Sequence, residues 1–227
     1  MKSCLIMGFG RSGTSMMGGI LHQSGYYMGD YLYPPRISNP KGFFEDKEIN
    51  RINELILENY DGLIQNGQKE ISRTYSPYNP RFGHRWLSFI PFDTTITCKT
   101  QTVLNDIFYY TEKQPFAYKD PRFCFTLDVW KQYLPSETII IAMIRNPLYT
   151  VQSVLDECKR ANYLNDFYIT KQIAIDLWIN YYNRILKLIK EGKYKIFVID
   201  YDKLIKKQVL NKLSELLGTS LRNDFID

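Results

Sequence analysis

A short apolar run followed by a glycine-rich loop, near the start of the chain, limits the folds that this sequence can adopt. Ser3 to Phe9 is typical of a buried strand, Gly10 to Gly13 of a tight loop, and Thr14 to Ser24 of a helix. From Gly8 to Gly13 the glycines follow the spacing G-x-x-x-x-G. A strand, a loop of this kind and a helix in this order predict a phosphate-binding loop in an α/β protein.

The loop lacks the lysine of nucleotide-hydrolysing P-loop proteins, because Thr14 follows Gly13. Arg11 lies inside the loop instead, where its guanidinium can hold anionic oxygens while backbone N–H groups and the helix dipole bind the rest. Thr14 and Ser15 add hydroxyl donors at the start of the helix. The alternative is a glycine-rich turn capped by Ser12 or Thr14 that binds no ligand.

The hydrophobic period changes repeatedly along the rest of the chain, as it does in proteins with alternating strands and helices. The predicted strands are Phe116–Lys119, Thr138–Ile144 and Lys195–Ile199, and the predicted helices are 97–112, one through Trp130, Pro147–Lys159, Tyr168–Lys190 and Gln208–Leu217. This alternation predicts an α/β, P-loop-like fold of three layers, in which helices flank a central, mainly parallel sheet. We expect residues 1–227 to form a single domain.

Two segments without clear periodicity, 26–44 and about 61–95, interrupt this pattern with many Tyr, Pro and Gly residues. We interpret the second as an insertion over the core that contributes to a binding cleft. Between the two segments, Asp46 is predicted to cap a helix with an apolar face formed by Ile49, Ile52, Leu55 and Ile56.

Composition excludes several classes of protein. The 29 Lys and Arg residues against 24 Asp and Glu are spread along the chain, which suits an anionic ligand and argues against nucleic-acid binding. The longest apolar runs are strand-sized, far shorter than the roughly 20 residues of a membrane helix. The cysteines are far apart and show no C-x-x-C spacing, so we expect no zinc site, no disulfide framework and a cytoplasmic protein without membrane insertion. The cysteines are Cys4, Cys98, Cys124 and Cys158.

A second group of polar residues follows the strand that ends at Ile144. Arg145 comes directly after this strand, Pro147 begins a predicted helix, and Ser153 lies eight residues after Arg145. In a parallel sheet Arg145 faces the same crevice as the glycine-rich loop. The alternative is a helix cap and a salt bridge without a binding role.

Together the two segments resemble the sulfotransferases that use 3′-phosphoadenosine 5′-phosphosulfate (PAPS). In that family a loop of the type K/R-S/G-G-T binds the 5′-phosphosulfate, and an Arg with a Ser eight residues later binds the 3′-phosphate. The resemblance implies that the donor is bound by Gly10, Arg11, Ser12, Gly13, Thr14, Ser15, Arg145 and Ser153. Residues 39–46, 119–122 and 200–204 are also similar to segments of bacterial and carbohydrate-type sulfotransferases. The chain lacks the C-terminal basic segment of the animal cytosolic enzymes, and its loop has Arg in place of their Lys.

The resemblance also implies a reaction. A sulfuryl group would move from PAPS to a hydroxyl or amine acceptor by in-line displacement, with no metal. We expect the acceptor to bind between segments 26–46 and 61–95 and to be a glycan or a small metabolite, and a lipid or a peptide tyrosine stay open as alternatives. Arg11 would stabilise the leaving phosphate, Lys119 resembles the lysine placed near the transferred group, and Glu45 is the candidate base. The alternatives are that Glu45 only favours the start of the next helix and that residues 119–122 only form an Asp120–Arg122 pair.

Two hypotheses from other classes stay open at this point. A P-loop kinase would use Asp200 as a magnesium-binding acid, although the missing lysine after Gly13 counts against it. A catalytically silent nucleotide-binding module would keep the loop, Arg145 and Ser153 but would need no base. His22 and His84 are interpreted as structural or exposed residues.

Overall fold

The computed structural model describes residues 1–58, 60 and 75–226. Its central sheet has four strands in the order β2-β1-β3-β4, and every pair of neighbours is parallel. The strands are β1 Cys4–Met7, β2 Ala117–Lys119, β3 Ile139–Ile144 and β4 Ile196–Asp200. Cys4 of β1 lies opposite both Ala117 of β2 and Ile139 of β3, so the carboxyl ends of these three parallel strands reach the same edge of the sheet.

Eight α-helices connect and flank these strands in the described part of the chain. They are α1 Thr14–Gln23, α2 Lys47–Glu58, α3 Gln101–Thr111, α4 Phe123–Trp130, α5 Pro147–Arg160, α6 Lys171–Glu191, α7 Tyr201–Ile205 and α8 Leu210–Leu217. Short 3₁₀ helices occur at Arg85–Leu87, Lys131–Tyr133 and Asn162–Leu164. The predicted three-layer α/β fold is confirmed, and the sheet is parallel in all its described pairs.

Alternate strand residues face two separate cores, because side chains on a strand point to opposite faces. Leu5 and Met7 pack with buried residues of α2 to α6, whereas Cys4 and Ile6 pack with buried residues of α1, α7 and α8. Both faces of the sheet are therefore covered by helices. This explains why β1 and β3 have continuous apolar sequences and no alternation.

Some predicted boundaries differ from the observed ones. The long helix begins at Lys171, because the Thr170 hydroxyl accepts a hydrogen bond from the Ile173 N–H and the preceding Tyr168 N–H donates to the Tyr75 carbonyl. The helix predicted from residue 97 begins at Gln101, after the extended Thr100. The short helix α7 was not predicted, and the Asp200 carboxylate caps it by accepting a hydrogen bond from the Lys203 N–H.

The described part of the predicted insertion, residues 75–95, contacts the helical layer that contains α4 and α6. Residues 61–74 lie outside the described residues, and within residues 75–95 the regular structure is the short helix Arg85–Leu87. The buried Arg184 of α6 donates hydrogen bonds to the carbonyl oxygens of Phe92 and Thr94 and pairs with Asp128. These bonds hold Phe92 and Thr94, which belong to no helix or strand, against the helical layer.

Two adjacent glycines, Gly18 and Gly19, allow close packing on α1. A Cβ atom at Gly18 would lie 2.8 Å from Phe44 Cβ, and one at Gly19 would lie 2.3 Å from the ring of Phe225. Both positions therefore admit only glycine without a shift of the neighbouring segments. In the described part of the chain, no helix is both long and apolar enough to cross a membrane.

Candidate active site

A cavity of about 620 Å³ opens at the carboxyl edge of β1, β2 and β3. The structure brings to it all the site residues predicted from the sequence except Ser12. Those that line it are Gly10, Arg11, Gly13, Thr14, Ser15, Glu45, Lys119, Arg145 and Ser153. Ser12 is fully buried, and its N–H donates a hydrogen bond to the Phe9 carbonyl at 3.2 Å. This residue therefore stabilises the turn of the loop and does not face the cavity.

The loop after β1 has an unusual backbone conformation. Arg11 has a φ of 70° and Gly13 a φ of 95°. Positive φ at a residue with a side chain costs of order 1–3 kcal/mol, and strained residues of this kind cluster at active sites and ligand-binding sites. Gly13 directly precedes α1, so the first N–H groups of this helix point to the cavity and form a site suited to an anion.

Two aromatic rings pack against the loop and require its glycines. A Cβ atom at Gly10 would lie 2.3 Å from the Trp86 ring, and one at Gly13 would lie 2.3 Å from the Tyr201 ring. The loop glycines are needed for this close approach as well as for backbone conformation. Trp86 lies in the predicted insertion, whose described part therefore contacts the loop directly.

The glycine-rich loop and the second group of polar residues form one cluster. Arg11 Nε donates a hydrogen bond to Ser153 Oγ at 3.0 Å, although the two residues are 142 positions apart. Arg145 Nη1 donates to the Arg11 carbonyl at 3.4 Å, and its guanidinium lies over the Tyr201 ring at 4.5 Å. In the described part of the chain, Arg145 Nε is buried without a hydrogen-bond partner. The cluster thus presents two guanidinium groups and a hydroxyl to an anionic ligand.

Glu45 and Lys119 form a salt bridge beside the start of α1. Lys119 Nζ also donates to Ser15 Oγ at 3.3 Å, and Asn39 Nδ2 donates to the same hydroxyl oxygen at 3.0 Å. The next residue, Asp46, caps α2, because its carboxylate accepts hydrogen bonds from two N–H groups of the first turn. The predicted division of roles is thus confirmed for Asp46 as the cap, and Glu45 is left facing the cavity.

A buried ionic network lies below the Glu45–Lys119 pair. Arg122 pairs with Asp120 at 2.9 Å and with Glu54 at 2.6 Å, and Arg85 pairs with Glu54 at 2.8 Å. Burial raises the pKa of Asp120, whereas for Glu54 the nearby Arg122 and Arg85 outweigh burial and lower the pKa. The network fixes the end of β2 and so the backbone that carries Lys119.

The part of this network that α2 contributes was not predicted from the sequence. Asn50 and Asn53 both donate hydrogen bonds to Asp120, and Glu54 is 1% exposed. The spacing of these three polar residues, i, i+3 and i+4, places them on one helix face beside the apolar face. The same spacing is typical of the solvent-exposed face of an amphipathic helix, so the buried network becomes evident only with the distant partners Asp120 and Arg122.

Aromatic side chains also line the described part of the cavity, among them Tyr33, Phe43, Phe82, Trp86 and Tyr163. The Arg36 guanidinium lies between two of them, 5.0 Å from the Tyr163 ring centre and 5.9 Å from that of Phe43. Flat rings beside a cation suit a ligand with apolar faces and polar groups.

The structure gives the two histidines different positions, and only the exposed position of His22 matches the prediction directly, because His84 lines the cavity. His22 is exposed on α1 and packs against Phe44. His84 is buried at the cavity wall, where its Nε2 accepts a hydrogen bond from Arg81 Nε at 3.1 Å. Burial and the Arg81 guanidinium lower the pKa of His84, so its imidazole is neutral at pH 7.

A family model described as "Sulfotransferase family" matches residues 4–222. No curated protein matches the chain in the sequence search.

Two solved structures are similar to this chain. One is a "Sulfotransferase Domain from the Curacin Biosynthetic Pathway", with 14% identity and a TM-score of 0.53 over 99% of this chain and 76% of that one. The other is the sulfotransferase STF1 from Mycobacterium tuberculosis H37Rv, with 17% identity and a TM-score of 0.50 over 99% of this chain and 69% of that one. At these identities the structural matches support the fold.

We expect His84 to make the protein less stable in acid. Because its pKa is lowered in the folded protein, the unfolded chain binds the proton more readily as the pH falls, and the free energy of unfolding decreases below about pH 6.5. Urea unfolding at about pH 7 and about pH 5 should show a smaller decrease for His84→Gln than for the wild type. His22→Gln, which removes the exposed histidine, should follow the wild type. An equal decrease in wild type and His84→Gln would contradict this assignment.

Proposed function

The chain belongs to the sulfotransferase family, and we propose that it transfers a sulfuryl group from PAPS to a hydroxyl or amine acceptor. The observation that carries this proposal is the contact of Arg11 with Ser153 beside Arg145, which joins two anion-binding groups in one cleft. PAPS carries a 5′-phosphosulfate and a 3′-phosphate, so it has one anionic group for each of the two anion-binding groups of the cleft. The buried Arg145 Nε, which has no hydrogen-bond partner among the described residues, is a donor suited to such a group.

We assign the two anionic groups of PAPS to different parts of the cleft. Gly10, Arg11, Gly13, Thr14 and Ser15 would hold the 5′-phosphosulfate through side chains, loop N–H groups and the start of α1, with Ser12 supporting the loop. Arg145 and Ser153 would hold the 3′-phosphate. This assignment is supported by the lining of the cavity and by the motif spacing.

The proposed chemistry uses the Glu45–Lys119 pair. The donor supplies an activated sulfuryl group, whose bond to the bridging phosphate oxygen breaks as the acceptor oxygen or nitrogen bonds to sulfur. Glu45 would take the acceptor proton, and the electron pair of the broken bond would stay on the phosphate beside Arg11. Protonation of Glu45 would neutralise its carboxylate and so end its salt bridge with Lys119. The Lys119 ammonium could then donate hydrogen bonds to the sulfuryl oxygens.

The acceptor would lie beside Glu45, between the segment before α2 and the predicted insertion. We propose a glycan or small metabolite and no nucleic-acid partner, in a cytoplasmic protein of one domain over residues 1–227. The insertion, predicted at about 61–95, would contribute Phe82 and Trp86 to the acceptor cleft from its described part. The kinase alternative has less support, because Thr14 follows the loop and the Asp200 carboxylate caps α7.

We expect 3′-phosphoadenosine 5′-phosphate (PAP), the donor without its sulfuryl group, to bind without magnesium. In calorimetric titration, Arg11→Ala and Arg145→Ala should each weaken binding about tenfold or more, because each removes a charged hydrogen-bond donor. Arg160→Ala is the matched control, since Arg160 is an exposed arginine at the end of α5 and does not line the cavity. Failure of PAP to bind, or tighter magnesium-dependent binding of ATP, would overturn the proposed donor and favour the kinase.

We expect Glu45→Gln to remove the base while the donor site is retained. Turnover of sulfur-labelled PAPS with a panel of hydroxyl and amine acceptors should fall by about 10²- to 10⁴-fold, and PAP affinity should change by less than about threefold. Glu48→Gln is the matched control, because Glu48 pairs with Arg51 on the same helix and does not line the cavity. Turnover of Glu45→Gln close to that of the control would show that another group takes the proton.

A further inference from the structure

A buried acidic residue lies inside the cleft that we propose to bind an anionic donor. The Glu157 side chain of α5 is 2% exposed and lines the cavity. It follows Ser153 by four residues, which places both on the same face of the helix. Its carboxylate raises the energy of a nearby anion, so its position needs a physical reason.

Hydrogen bonds show what Glu157 holds. Ser38 Oγ donates to Glu157 Oε1 at 3.0 Å, and Tyr163 OH donates to the same oxygen at 2.8 Å. Burial and the Glu157 carboxylate raise the pKa of Tyr163, so this phenol stays protonated and can donate. The other carboxylate oxygen, Oε2, lies 3.8 Å from Arg11 Nη1.

Arg11 closes a ring with the same residues. Arg11 Nη2 donates to the Ser38 carbonyl oxygen at 2.9 Å, and Arg11 Nε donates to Ser153 Oγ at 3.0 Å. Ser38 is therefore bonded to Arg11 through its backbone and to Glu157 through its hydroxyl. One guanidinium and one carboxylate together fix the segment before α2 against α5.

The same segment also reaches the start of α1. Asn39, next to Ser38, donates to Ser15 Oγ at 3.0 Å, and Ser15 also accepts from Lys119. The contacts of Glu157 are thus linked, residue by residue, to Arg11 inside the loop and to Ser15 at the start of α1.

We propose that Glu157 is a positioning residue, which holds Arg11 and Ser38 so that the Arg11 guanidinium is oriented for the donor. The inference rests on the proposed function and goes beyond it, because it gives an acidic residue a part in binding an anion. Arg11 is partly exposed and carries a long side chain, so orientation by fixed partners reduces the entropy that it loses when a ligand binds.

The proposal and a simple charge effect predict opposite outcomes. If Glu157 acts on the donor only through its negative charge, its neutralisation makes PAP bind more tightly. If Glu157 positions Arg11, neutralisation makes PAP bind more weakly. Glu157→Gln removes the charge and keeps the size of the side chain.

We expect Glu157→Gln to weaken PAP binding about tenfold in calorimetric titration of the full chain. The same substitution in an Arg11→Lys background should change PAP affinity by less than about twofold, because the guanidinium that Glu157 orients is absent. A residue that only stabilises the fold would lower the melting temperature and have the same effect on affinity in both backgrounds. Asp156→Asn, one residue away on α5, is the control for loss of one negative charge, and its PAP affinity should stay within about twofold of the wild type.

Unchanged or tighter PAP binding by Glu157→Gln would overturn the proposal, as would an equal loss in the Arg11→Lys background. If Glu157→Gln does not fold, Ser38→Ala removes the hydroxyl that donates to Glu157 and keeps the carbonyl that accepts from Arg11. This variant should bind PAP about threefold more weakly, and unchanged binding would overturn the proposal. Failure of the wild type to bind PAP would overturn the proposed donor itself, and the role of Glu157 with it.

Discussion

The parallel pairing of β1 with β2 on one side and β3 on the other is the constraint on which the cleft depends. It brings three carboxyl ends to one edge, so the loop after β1, Lys119 at the end of β2 and Arg145 after β3 become neighbours. Antiparallel pairing of either neighbour would place its last residue at the opposite edge. Helices cover both faces of the sheet and bury them from solvent. This burial explains why β1 and β3 have continuous apolar sequences.

Carboxylates pair with several of the cations at this edge of the sheet. Glu45 pairs with Lys119, Glu54 with Arg85 and Arg122, and Glu157 lies beside Arg11. Buried ion pairs of this kind add little net stability, because desolvation offsets much of the attraction. Their effect is on orientation, and cations oriented in advance stabilise developing charge at a smaller cost of reorganisation.

The fold could be predicted from sequence because its signals are local. A strand, a glycine-rich loop and a helix follow each other over about twenty residues at the start, and each later strand is a short apolar run. Arg145 was found because it directly follows a predicted strand, and Ser153 was found because its spacing from Arg145 matches the motif of the family that the sequence resembles. Helix starts were less certain where residues pair with distant segments, as Tyr168 does with Tyr75.

The missed parts of the site depend on contacts between distant residues. Ser38 and Glu157 are separated by 119 positions, and neither lies in a motif of its own. Ser38 lies in an irregular segment, where no period indicates which side chains turn inward. The burial of Glu54 in an ionic network could likewise not be predicted without its partner Arg122, which lies 68 positions away.

The most direct test of the account is a crystal structure of the protein with PAP. We expect the 5′-phosphate at the start of α1, within hydrogen-bond distance of Arg11, Thr14 or Ser15. The 3′-phosphate should lie within hydrogen-bond distance of Arg145 and Ser153. Glu45 and Lys119 should lie on the side of the 5′-phosphate. A nucleotide bound in the reverse direction, with its 3′-phosphate at the loop, or bound outside this cavity, would contradict it.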